Sequence, residues 1–140
     1  NLNSYQRKNL QQYEIFACIR NPYDRIVSLW KWEELTKKRY NGVSFKRWLN
    51  MKMDWWHRSQ FDFLLSDIIN VSEINLIRFK NLQQDFNNVC DKIGIPRQEL
   101  PHKNKINHKH YSEYYDDETR QIVKERYARD IEYFGYKFGE

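Results

Sequence analysis

Arg20 stands where a short apolar run, Tyr13 to Ile19 (YEIFACI), gives way to Asn21-Pro22. Such a run suits a strand buried on both faces. Asn21 suits a helix N-cap and Pro22 the first helical position. A guanidinium at that turn can fork onto two oxygens of a phosphate, beside the free backbone N–H groups of the helix start. Ser28 lies about two helical turns on. Its hydroxyl reaches the same anion only if that anion lies along the side of the helix. Each charge-assisted hydrogen bond is worth about 1.5–3 kcal/mol, and the helix N-terminus adds about 0.3–1 kcal/mol. The residues alone leave a competing reading open: Arg20 pairs with Asp24, and Ser28 is an ordinary helical serine.

Proton transfer near neutral pH calls for histidine, and the chain has four: His57, His102, His108 and His110. The last two fall in a polar, basic stretch and read as solvated. The rings of Trp55, Trp56, Phe61 and Phe63 suit either stacking on a sugar face or packing at the core and its rim. Arg97, Lys103, Lys105 and Lys109 suit either attraction of an acidic glycan or a plain wet surface. Nothing has metal-ligand spacing, and no CxxC pair exists. Cys18 and Cys90 are expected as two buried free thiols. A nucleotide kinase would need GxxxxGK[ST], and the sequence has no such run.

The elements that must position these groups follow from periodicity. Tyr23, Ile26, Val27 and Trp30 recur at helical spacing behind Pro22. Asn41-Gly42 marks a turn, and Ser44 caps a short helix through Met51. Residues 54–66 are rich in rings and fit no single pattern. Ile74 to Phe79 (INLIRF) reads as a second strand. Residues 81–93 read as a helix with Leu82, Phe86, Val89, Cys90 and Ile93 along one side, ended by Gly94. Residues 96–110 are the candidate loop over a ligand. A final helix runs from about 117 to 133, burying Ile122, Val123, Tyr127, Ile131 and, beyond it, Phe134. Strands alternating with helices predict an α/β domain with a parallel sheet, and 140 residues predict a single domain. The net charge of +5 favours anionic partners. The basic residues are spread along the chain, so nucleic acid has no dedicated patch. No run is long and apolar enough to span a membrane.

Arg20-Asn21-Pro22-Tyr23-Asp24-Arg25-Ile26-Val27-Ser28 resembles the R-x-P-x-x-R-x-x-S motif of sulfotransferases, which sits at a strand end and on the following helix. Ile77-Arg78-Phe79-Lys80-Asn81-Leu82 resembles a later strand of that family, with Lys80 in place of an acidic residue. Leu100-Pro101-His102-Lys103-Asn104 is similar to the L-P-H-x-N loop of the carbohydrate-type branch. Tyr114-Tyr115-Asp116, Tyr127-Ala128-Arg129-Asp130 and Phe134-Gly135-Tyr136 are similar to that branch's closing helix. Trp56-His57-Arg58-Ser59-Gln60 resembles H-W-R-P-Q, with the histidine displaced by one and Ser59 at the proline. The matches keep family order over about residues 13–138.

The resemblance implies a partial three-layer parallel sheet of the P-loop/sulfotransferase type with a helix-rich C-terminal half. It implies transfer of a sulfuryl group from 3′-phosphoadenosine 5′-phosphosulfate, a nucleotide cosubstrate, to a hydroxyl of a carbohydrate-like acceptor, without a metal. Arg20 and Ser28 map onto the residues that bind the 3′-phosphate. His57 is the first candidate for the general base, and His102 takes a cosubstrate or structural role. The family's 5′-phosphosulfate loop, a P-K-T/S-G-T/S-T-like run, has no counterpart, so the expectation is one domain over 1–140 that is incomplete at its N-terminus. The alternative is a non-catalytic, anion- or nucleotide-binding remnant of the same fold. Relatives of the carbohydrate type work in the Golgi lumen or in bacterial cytoplasm, and the expectation here is the cytoplasm. The sequence assigns neither acceptor identity nor oligomeric state.

Overall fold

The computed structural model describes residues 13–51, 57–65, 70–101 and 109–140. These form two compact units: the described part of 1–19 with 62–101, and the described part of 20–61 with 102–140.

In the first unit, β1 (Phe16–Ile19) and β2 (Asn75–Arg78) pair in parallel. Phe16 lies opposite Asn75 and Ile19 opposite Arg78. The Asn75 amide N–H donates to the Ile15 carbonyl at 2.8 Å, which extends the ladder by one bond. A 3₁₀ turn over Phe79–Asn81 then leads into α4 (Leu82–Ile93). As expected, Gly94 ends that helix in the left-handed region at φ +75°, which a Cβ would oppose. Its N–H reaches Asp91 O and the N–H of Ile95 reaches Cys90 O, closing the last turn.

Two expectations fail in β1. Phe16 is 44% exposed and Cys18 is exposed, whereas Ile19 is buried. The strand is therefore covered on one face and not on both, and only Cys90 is a buried thiol. The reason is period two: Phe16 and Cys18 share the face that no layer of the described residues covers. A short apolar run looks the same whether one face or two will be buried.

The second unit holds α1 (Pro22–Thr36), α2 (Phe45–Leu49), the start of α3 (Gln60–Leu64), α5 (Asp117–Arg126) and α6 (Ala128–Phe134). Its core joins Tyr23, Ile26, Val27 and Trp30 of α1 to Phe45, Trp48, Leu49, Tyr111, Val123 and Tyr127. Each such side chain contributes about 1.5–3 kcal/mol by leaving water. Rings meet edge to face, as in Tyr23 against Phe138 at 5.1 Å and Phe45 against Tyr115 at 5.0 Å. That geometry sets a positive ring edge on a negative ring face. The fully buried Glu33 is satisfied by the Trp48 indole, whose Nε1–H donates at 2.9 Å, and by Lys37.

Ser44 caps α2 as expected, accepting from the Arg47 N–H, but the helix ends at Leu49. The final helix is broken at Tyr127, where φ is −115° and ψ is 27°. The bonds from Tyr127 N to Val123 O and from Ile131 N to Tyr127 O continue through the break, which makes it a kink. Val123, Tyr127, Asp130 and Phe134 all face inward.

Candidate functional site

The turn between β1 and α1 is built as its residues predict. Asn21 is the N-cap: its Oδ1 accepts from the Tyr23 N–H at 3.1 Å, and Pro22 takes the first helical position. The Asn21 Nδ2 donates to the Lys137 carbonyl at 2.8 Å, which also ties the cap to the C-terminal segment. The Arg20 side chain forks onto Asp24, with Nε to Oδ2 at 2.6 Å and an Nη to Oδ1 at 2.9 Å. This is the pairing that the residues alone offered as the competing reading. It engages two N–H donors of a guanidinium that has five. Both partners keep access to water, at 21% and 24% side-chain exposure. Ser28 is half-buried on α1. It lies four residues beyond Asp24, which puts the two on one helix face. Asp24 and Ser28 therefore share one side of the first two turns, and Arg20, which precedes the N-cap, reaches that side through its fork onto Asp24.

Sequence reasoning missed what holds Arg20 in place. Leaving β1, the Arg20 backbone has an N–H and a C=O that need partners. The Gln60 side-chain amide supplies both: Oε1 accepts from Arg20 N at 2.8 Å, and Nε2 donates to Arg20 O at 2.7 Å. Gln60 is held in turn by Asp130, which is fully buried. The Asp130 carboxylate accepts from Gln60 N and Phe61 N, both at 2.8 Å, and from the Ser59 hydroxyl at 2.5 Å. The Gln60 Nε2 also lies 3.4 Å from Asp130 Oδ2. A buried carboxylate is tolerated when its lone pairs are filled in this way. Arg25, one turn into α1, donates to the Arg58 carbonyl at 3.0 Å. Burial pulls its pKa below the ordinary arginine value, and Tyr127 and Asp130 pull it back up. The segment 57–61 is thus tied to the head of α1 at Arg20 and at Arg25. The one available signal was an aspartate on the inward stripe of an amphipathic helix, a position where an acid needs a reason.

The other candidates divide. His57 is buried, its ring 5.4 Å from that of Trp48. Its carbonyl accepts from the Tyr127 hydroxyl at 2.7 Å, and burial pushes that phenol up to about 12. The setting is that of a histidine packed in a core. His110 is exposed, with Nδ1 2.7 Å from the Ser112 hydroxyl. Phe61 packs on Tyr133 at 4.7 Å under the Arg129 guanidinium, so it belongs to the packed rim. Phe63 is 45% exposed. Arg97 forks onto Asp91, and Lys109 lies 3.6 Å from Glu113, so both cations have carboxylate neighbours within the chain. Trp55, Trp56, His102, Lys103, Lys105 and His108 lie outside the described residues. Among the described residues, no three His, Cys, Asp or Glu side chains are grouped to hold a metal ion. No described helix is long and apolar enough to cross a membrane.

A family model described as "Sulfotransferase family" matches residues 1–137, and the chain belongs to that family. No curated protein and no solved structure matches the chain significantly.

Proposed function

We propose that this member of the sulfotransferase family takes its sulfuryl group from 3′-phosphoadenosine 5′-phosphosulfate and passes it to a hydroxyl of a carbohydrate-like acceptor, with Arg20 and Ser28 holding the donor's 3′-phosphate. The observation that carries the reading is the placement of Arg20. Its backbone is clamped by Gln60 just before a capped 15-residue helix, and its guanidinium lies on Asp24, one turn before Ser28 on that helix.

The Arg20–Asp24 pair is the obstacle, and magnitudes decide it. A partly exposed ion pair spaced i, i+4 is worth about 0.3–1 kcal/mol. The charge-assisted contact of the guanidinium with a phosphate dianion is worth about 1.5–3 kcal/mol net. The helix N-terminus favours the anion further. On this reading the phosphate, with its second negative charge, competes with Asp24 for Arg20.

In the transfer itself, the sulfur–oxygen bond to the donor's phosphate breaks as a new one forms to the acceptor oxygen. The acceptor's proton leaves to a general base, and charge spreads over the equatorial oxygens as in phosphoryl transfer. His57 is the reading's candidate for that base. The geometry pulls against it, because a base must come within hydrogen-bond reach of the acceptor and this ring is packed on Trp48. The β1–β2 pair would belong to a larger three-layer sheet, whose 5′-phosphosulfate loop has no match in these 140 residues. Binding of the 3′-phosphate is the most direct test of the reading.

The test is titration calorimetry with adenosine 3′,5′-bisphosphate. Arg20→Ala should weaken binding about ten- to a hundredfold, the equivalent of losing about 1.5–3 kcal/mol. An unchanged affinity removes Arg20 from the site.

A further inference from the structure

We infer that Gln60, held by the buried carboxylate of Asp130, is a positioning residue for Arg20, so that the 3′-phosphate site is set by a side chain that never touches the ligand. The inference rests on the proposed role of Arg20 and goes beyond it.

A side-chain amide carries one acceptor and donors on a single planar group. Gln60 uses both against one residue, accepting from Arg20 N and donating to Arg20 O. It satisfies the backbone donor and acceptor of Arg20 with one planar group. Few side chains can do this: a carboxylate cannot donate, and asparagine is one methylene shorter. Gln60 itself cannot drift, because its backbone N–H and the next one are both bound by Asp130. Asp130 is fully buried and fixed on α6. The opposite side of the turn is fixed by Asn21 through Tyr23 N and Lys137 O. With the Arg20 backbone held by Gln60 and the Asn21 carbonyl held by the Arg25 N–H at 2.8 Å, the guanidinium swings mainly about its own side-chain torsions. It starts each encounter with an anion beside the α1 N-terminus. Misplacing a charge-assisted contact by a fraction of a bond length weakens it sharply.

The experiment is a double-mutant cycle on binding of adenosine 3′,5′-bisphosphate, using Gln60→Met, Arg20→Ala and their combination, with thermal unfolding of each variant. Adenosine 5′-phosphate serves as the control ligand without the 3′ group. In the presence of Arg20, Gln60→Met should weaken bisphosphate binding roughly three- to tenfold. In the Arg20→Ala background it should change little, because nothing is left to position. A folded Gln60→Met protein with native affinity overturns the inference. So does a loss of the same size in both backgrounds, which marks a merely structural residue. If Gln60→Met does not fold, Gln60→Asn carries the same comparison: it keeps an uncharged amide but is one methylene too short to reach both Arg20 N and Arg20 O. A wild-type chain that binds bisphosphate no tighter than adenosine 5′-phosphate refutes the Arg20 reading first and takes this inference with it. A wild-type preference for bisphosphate that Arg20→Ala abolishes and the Gln60 variants leave intact refutes only the inference.

Discussion

Replacing Asp24 by asparagine separates two meanings of the Arg20–Asp24 fork. If the carboxylate competes with the ligand, removing its charge should tighten binding of adenosine 3′,5′-bisphosphate. The ion pair surrendered on binding is worth about 0.5–1 kcal/mol for partners exposed as these are. The carboxylate also repels a dianion held by the same guanidinium, and at a few ångströms through partly aqueous surroundings that adds about 1 kcal/mol. Together they predict a gain of about 1.5–2 kcal/mol, or roughly ten- to thirtyfold in affinity. The gain should shrink as salt is raised, because these charges are screened over about 10 Å at 0.1 M. Asp24 also lies in the first turn of α1, where losing a negative charge costs about 0.3–1 kcal/mol of stability. The melting temperature should fall by a few degrees at most, so a folded protein remains for calorimetry. Tighter binding at low salt, converging with wild type at high salt, supports competition. Weaker binding would mean that Asp24 aims Arg20 at the ligand, and the competitive account of the fork would be wrong.

Two further outcomes follow from the core of the same unit. His57→Gln should slow turnover per folded molecule if the imidazole is the base; native turnover per folded molecule assigns it to packing on Trp48. Burial raises Tyr115 and Tyr127, the latter to about 12. Below pH 10 these phenols are protonated in both folded and unfolded chains. Between about 10 and 12 the unfolded chain ionises first, so stability should fall across that window, by roughly 2–3 kcal/mol for Tyr127 alone. The final part of the tyrosinate absorbance during alkaline titration should rise together with loss of helical circular dichroism. Exposed tyrosines such as Tyr13 and Tyr133 ionise earlier, so the test is the last part of the rise: ionisation of all ten tyrosines before the helical signal is lost would show the buried rings to be accessible.

What the sequence disclosed here is local. Asn21-Pro22 announced its helix start, Gly94 its helix end, and the 23–26–27–30 stripe its buried face. In each case the signal sits within one or two turns of its effect. The failures are non-local. Whether a second layer covers Phe16 and Cys18 depends on which other segments reach that face, and the run FACI does not record it. The dual hydrogen bond of Gln60 joins residues 40 apart in the chain, and Asp130 reaches 70 residues back to Gln60. The motif around Arg20 named the residue for an anion, but it did not say that Asp24 would already hold it. That outcome depends on one torsional choice of a long side chain, which spacing leaves open.

The central claim is that Arg20 engages a 3′-phosphate at the head of α1. Its most direct test is phosphorus NMR of adenosine 3′,5′-bisphosphate titrated with the chain, read alongside the Arg20 side-chain Nε resonance. The account predicts that the 3′-phosphate signal and the Arg20 signal move together and saturate at the same ligand concentration, and that Arg20→Ala abolishes the 3′ shift. A 3′-phosphate signal that stays at its free position, while Arg20 keeps the resonance of its pair with Asp24, would contradict it.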